Sequence, residues 1–151
     1  MPLKVGDVMV KEVITVDSNS TVKQAADIMN KFEIGCLIAT KDGKAVGILT
    51  ERDLLKRIVS QAKSPRRTKV AAVMSKPMIV VEPQMDLEEA IKLMFKMKIK
   101  KLPVVEHGQL KGLVTLTDLA RFQPQIIRIL KKLSKKVAPK RMQKVVNYYV
   151  V

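Results

Sequence analysis

The chain has 151 residues, 29 Lys and Arg against 14 Asp and Glu, a net charge of +15 and 47% hydrophobic residues. That length suits one globular domain or two small halves, and the apolar content can bury a core, which excludes a wholly disordered chain. A single Cys and a single His exclude a disulfide framework, a cysteine-based zinc site, an iron–sulfur cluster and any two-histidine metal site.

Residues 1–7 reach Asp7 without an apolar run, so no secretory signal is expected. No stretch approaches the about 18 consecutive apolar residues of a membrane span. A cytoplasmic protein with no membrane span is the expectation.

Val13 to Val16 reads as a short strand, followed by a polar turn and an amphipathic helix. Gly35 to Thr40 and Ala45 to Leu49 then read as two strands joined at Asp42-Gly43, a hairpin turn. A short helix starts near Asp53. The basic run Lys63-Ser64-Pro65-Arg66-Arg67-Thr68-Lys69 follows.

The same order then returns. Met78 to Val81 reads as a strand. Leu87, Ala90, Ile91, Met94 and Met97 recur at helical spacing, with Asp86 as N-cap ahead of Glu88 and Glu89. Lys101 to Val105 and Leu110 to Val114 read as a hairpin turning at His107-Gly108, and a short helix starts near Asp118.

Shifted by 65 residues, positions 5–55 align with 70–120 without a gap. The identities include Val8/Val73, Met9/Met74, Ile14/Ile79, Ala25/Ala90, Gly43/Gly108, Gly47/Gly112, Thr50/Thr115 and Asp53/Asp118. This is a duplication. Each copy is a β-α-β-β-α unit that leaves one sheet face half covered, so the expected fold is α/β (more strictly α+β). The two repeats should pack sheet to sheet about a pseudo-two-fold axis. Residues 1–60 form repeat one, 61–69 a basic linker, 70–121 repeat two and 122–151 a basic extension.

Both copies carry glycine, two aliphatic residues, Thr, two variable residues and Asp: Gly47 to Asp53 and Gly112 to Asp118. A strand running into a helix start offers N–H groups and a Thr hydroxyl to an anion. An Asp one turn later can accept hydrogen bonds from a ribose diol, and the aliphatic residues make a wall for a purine. The same Thr-x-x-Asp also reads as a capping box.

Val8-Met9 before the first strand, the strand Leu102-Pro103-Val104-Val105 and the two Gly-to-Asp endings together resemble a tandem pair of cystathionine-β-synthase (CBS) domains, a Bateman module. The resemblance covers residues 5–121. It implies a non-catalytic regulatory module that binds AMP, ADP or ATP between its repeats, pairs into a homodimer and modulates a partner protein. It implies no catalytic cofactor. Site one would use Asp118 for the ribose, Thr115 and Lys101 for the phosphate, Leu113 as adenine wall, Val13 and Ile14 at the adenine edge, and Ser20 and Ala25 opposite. Site two would use Asp53, Thr50 and Ile48 with Met78, Ile79 and Ala90. Its basic position is Cys36, which cannot pair with phosphate, so site one is expected to be the stronger.

Cys36, flanked by Gly35 and Leu37, otherwise reads as a buried small residue. His107 reads as a solvated turn residue. Met29, Met94 and Met97 read as core filling.

From Phe122 onward there is no acid, and eight cations supply more than half of the net charge. Ile126, Ile127, Leu130, Leu133 and Val137 fall near helical spacing, ended by Pro139. Arg66, Arg67, Arg128, Lys131, Lys132, Lys135, Lys136, Lys140 and Arg141 are therefore candidates for nucleic-acid contact, a second function class whose mark is steep salt dependence. Among readings of this tail, membrane-surface binding ranks third; an enzyme, the third function class, has no constellation of residues to support it.

Overall fold

The turns of both hairpins need a backbone with positive φ at two successive residues. Asp42 and Gly43 supply 51° and 77°, and His107 and Gly108 supply 51° and 74°. These left-handed pairs match the right-handed twist of the strands they join. Around them, the computed structural model describes residues 3–122 together with Arg128, Lys131 and Lys132.

In chain order the elements are α1 (Val5–Val8), β1 (Thr15–Asp17), α2 (Val22–Phe32), β2 (Cys36–Lys41), β3 (Lys44–Thr50) and α3 (Glu51–Leu54), which runs on as a π-helical turn over Leu55–Val59. Then come α4 (Val70–Val73), α5 (Leu87–Met97), β4 (Lys101–Glu106), β5 (Gln109–Thr115) and α6 (Leu116–Phe122). β2 pairs antiparallel with β3, and β1 joins β2 in parallel. β4 pairs antiparallel with β5. The two hairpins share one register, Cys36 opposite Thr50 and Lys101 opposite Thr115, and both shift at the same place, after Ala39 and after Val104.

The core is double, and its membership is crossed. Val16, Val22, Met29, Leu37 and Leu49 of the first repeat pack with Val70, Val73 and Met74 from α4 and its end. Leu87, Ile91, Met94, Leu102 and Val114 of the second repeat pack with Val5 of α1. Backbone bonds fix the exchange: Val70 N–H donates to Ser20 O at 2.9 Å, and Val5 N–H donates to Met85 O at 2.9 Å. Each fully buried valine contributes about 1.5–3 kcal/mol, so each repeat depends on the other's first helix.

The strand expected at Met78 to Val81 shrinks to a bridge between Val81 and Val104. The reason lies in the neighbouring strand. Ile38 N–H donates to Ile14 O in repeat one, but the equivalent residue in repeat two is Pro103, which has no N–H to give. The short helices begin at Glu51 and Leu116, ahead of Asp53 and Asp118.

Asp86 stands at the N-cap of α5, but its side chain makes no capping bond. Its carboxylate instead takes the Lys4 ammonium, which raises the Lys4 pKa, the hydrogen bond being the largest cause. Thr21 caps α2 fully, accepting from Gln24 N–H at 3.1 Å, while Gln24 Oε1 accepts from Thr21 N–H at 2.9 Å.

Arg66 and Arg67 are exposed, as are Arg128, Lys131 and Lys132, which are helical. Lys135, Lys136, Lys140 and Arg141, with the rest of the expected tail helix, lie outside the described residues. Among the described residues no helix is long and apolar enough to cross a membrane.

Candidate functional site

The crossed helices end beside the partner repeat's hairpin. Val10, just past α1, exchanges both backbone bonds with Leu113 at 2.9 Å. Ser75, just past α4, does the same with Ile48 at 2.8 and 3.1 Å. A cleft opens at each of these junctions.

Cleft one, about 160 Å3, brings together Val13 and Ile14 of repeat one with Leu113, Thr115 and Asp118 of repeat two. Val10, Glu12, Ile34, Cys36 and Ile38 complete its wall. Ser20 and Ala25 are elsewhere: Ala25 is fully buried in the first core, and the Ser20 carbonyl holds α4. Cleft two, about 380 Å3, brings together Ile48, Thr50 and Asp53 with Ser75, Glu51, Arg52 and the run Lys98-Ile99-Lys100-Lys101. Met78, Ile79 and Ala90 do not border it. Ala90 is fully buried in the second core and Ile79 is exposed, its strand having lost the bond that Pro103 cannot make.

Lys101 and Cys36 exchange places relative to the family-based expectation. Lys101 lines cleft two and Cys36 lines cleft one. The residues are equivalent, each opening the first strand of its hairpin. The long Lys101 side chain crosses to the other repeat and donates to Gly35 O at 3.3 Å, close to Glu51. Lys101 therefore stands in the same cleft as the opposite repeat's Thr50 and Asp53. Burial pushes the Cys36 thiol above its ordinary pKa; Lys101 nearby works against that, while Asp118 and Glu51 add to it.

Both Thr-x-x-Asp endings lead a strand into a helix, at Glu51 and at Leu116, but their side-chain bonding differs. In repeat one the capping box closes: Asp53 N–H donates to Thr50 Oγ1 at 3.2 Å, and Thr50 N–H donates to Asp53 Oδ2 at 2.9 Å. The other oxygen, Oδ1, accepts from Ser75 Oγ at 2.8 Å and lies 3.8 Å from Arg57 Nη1. Arg57 also donates to Val73 O and Met74 O. Asp53 is thus a buried structural tie between α3 and the end of α4.

In repeat two only half the box forms. Asp118 N–H donates to Thr115 Oγ1 at 3.1 Å, and the Asp118 carboxylate accepts no hydrogen bond from the described residues. Val10 replaces Ser75 at the equivalent place, and Phe122 replaces Arg57. Asp118 keeps its acceptor capacity at the cleft rim. The first-turn N–H groups are less open to an anion than the strand-to-helix pattern implies, because Glu51 N–H donates to Gly35 O and Leu116 N–H to Lys100 O, both at 3.1 Å.

Sequence reasoning did not pick out Ser75, Arg57, Arg52 or the lysines at 98 and 100. Arg57 was visible as an i+4 partner of Asp53, and Lys98 to Lys101 as a cationic run. Ser75 carries no such signal, because its role depends on the crossing of α4.

The family model for the CBS domain matches twice, over residues 5–60 and 70–124. The CBS domain-containing protein YhcV of Bacillus subtilis is 37% identical over 116 residues, which are 77% of this chain and 82% of that protein. Among solved structures, the conserved CBS domain protein TA0289 of Thermoplasma acidophilum is 33% identical, with a TM-score of 0.77 over 91% of this chain and 78% of that one. The CBS domain pair of protein MJ0100, solved with 5′-methylthioadenosine and S-adenosyl-L-methionine, is 28% identical, with a TM-score of 0.72 over 80% of this chain and 95% of that one. With both halves of its duplication matched and its hairpins closed on crossed helices, this chain belongs to the CBS-domain family as a tandem pair.

Proposed function

We propose that this CBS pair is a regulatory module that binds an adenosine-containing ligand, AMP, ADP and ATP among the candidates, and modulates a partner protein. The observation that carries the reading is the Asp118 carboxylate, which accepts no hydrogen bond from the described residues and stands at the rim of an apolar cleft walled by Val13, Ile14 and Leu113. Such a carboxylate offers a ribose diol an acceptor, and such a wall offers a purine an apolar face. That MJ0100 was solved with two adenosyl compounds supports the ligand class.

Cleft one joins segments from both repeats, so a ligand there favours whichever arrangement of the repeats it fits better. It shifts a partner only by that difference in affinity. Pairing into a homodimer belongs to the same proposal: Phe32 and Met97, equivalent residues ending α2 and α5, are 50% and 46% exposed, an apolar surface that a second copy would cover.

Isothermal titration of adenosine, AMP, ATP and S-adenosyl-L-methionine into protein freed of bound ligand tests this reading. Binding of at least one that disappears in Asp118→Ala supports it. Absence of heat with all four would leave Thr-x-x-Asp a helix cap. A second reading, nucleic-acid binding, is favoured by the exposure of Arg66, Arg67, Arg128, Lys131 and Lys132. It predicts an affinity for duplex DNA or RNA that falls steeply with salt and weakens in Arg66→Ala/Arg67→Ala.

A further inference from the structure

The two clefts are equivalent in fold and opposite in charge. Among the described residues, cleft one is bordered by two carboxylates, Glu12 and Asp118, and by no Lys or Arg, although Lys101 of cleft two reaches near enough to act on Cys36. Cleft two is bordered by Arg52, Lys98, Lys100 and Lys101 against Glu51 and Asp53. Asp53 is already held by Thr50, Ser75 and Arg57, so the cations there are less offset than the count of acids suggests.

Size runs the same way, 160 against 380 Å3. A phosphate entering cleft one would leave water to sit beside like charges, which disfavours it. The same phosphate in cleft two would meet ammonium and guanidinium donors.

Resting on the adenosine-ligand reading above, we propose that the clefts divide their ligands by charge: cleft one takes the nucleoside without phosphate, and cleft two takes the phosphorylated nucleotide. The module then reads the balance between a nucleotide and its dephosphorylated form, not the concentration of one species.

The test is isothermal titration of adenosine, AMP and ATP into the full chain and three variants. Asp118→Ala should abolish adenosine binding and leave ATP binding within twofold. Lys98→Ala/Lys101→Ala should weaken ATP at least tenfold and leave adenosine within twofold. Glu12 is exposed, so Glu12→Lys should fold normally while placing a cation at cleft one, and it should raise AMP affinity there at least tenfold relative to adenosine. Loss of adenosine and ATP together in Asp118→Ala, with both insensitive to the lysine variant, would overturn the division yet keep the adenosine reading. Failure of adenosine, AMP and ATP alike to bind would overturn the division, and absence of heat with S-adenosyl-L-methionine as well would overturn the adenosine reading with it.

Discussion

The thioether sulfur of Met74 occupies the space that a side chain on Gly47 would need, only 2.6 Å from where that Cβ would lie. Met9 and Gly112 repeat the relationship at 2.8 Å. The shared Met and Gly of the duplication are thus contact partners across the crossing: a methionine ending one repeat's first helix seats on a bare backbone in the other repeat's hairpin.

Substituting either glycine should therefore destabilise the chain, and unequally. At Gly47 the tightest neighbours are atoms of the flexible Met74 side chain. At Gly112 the Val10 carbonyl is also 2.8 Å away, and backbone yields less. Gly112→Ala should cost about 2–3 kcal/mol and Gly47→Ala about 1–2 kcal/mol in denaturant unfolding, within the range for overpacking. Gly112→Ala should also weaken any ligand in cleft one, because Val10 lines it.

The two aspartates of the repeated motif should separate stability from binding. Asp53→Ala removes the return half of a capping box and leaves the Ser75 hydroxyl and Arg57 without their carboxylate, a loss of about 2–3 kcal/mol. Asp118→Ala should change stability by less than about 0.5 kcal/mol. Thermal melts of the two ligand-free variants check this; equal destabilisation would mean that Asp118 also holds the fold together.

Helix caps give a similar contrast. Thr21→Ala breaks a complete capping box on α2 and should cost about 1–2 kcal/mol. Asp86→Ala removes only an exposed ion pair with Lys4, so about 0–1 kcal/mol is expected. Chemical denaturation of both variants measures the difference.

Cys36 reports on cleft one through its pH behaviour. Burial holds its thiol above the ordinary value, so iodoacetamide should react slowly near neutrality and faster only in distinctly alkaline solution. The folded state keeps the thiol proton at pH values where the unfolded chain has released it. Native stability from this group is therefore full below the ordinary thiol pKa and declines as pH rises past it. Cys36→Ala should remove that decline, and a nucleoside filling cleft one should shield Cys36 from alkylation.

Much of this was legible from residue order alone. Paired glycines, hairpin dipeptides with positive φ and helical spacing in α5 are local signals, and local geometry obeyed them. What escaped depended on the other repeat. Pro103 silences a strand some twenty residues earlier by withholding an N–H, which the apolar run Met78 to Val81 does not reveal. Lys101 and Cys36 could be matched by repeat position but not assigned to a cleft, because that depends on a side chain crossing the pseudo-dyad. Asp53 and Asp118 look interchangeable in the motif. Their difference comes from Ser75 and Arg57, one of them delivered by the crossed α4.

That crossing bears on how such a chain could have arisen. A single ancestral repeat could not have covered its own core with its own first helix in this arrangement, so it would have needed to lend that helix to a second molecule and borrow one back, as a swapped dimer does. Duplication placed lender and borrower on one polypeptide. Once the exchange was intramolecular, the halves no longer had to match, and each cleft was free to acquire its own chemistry.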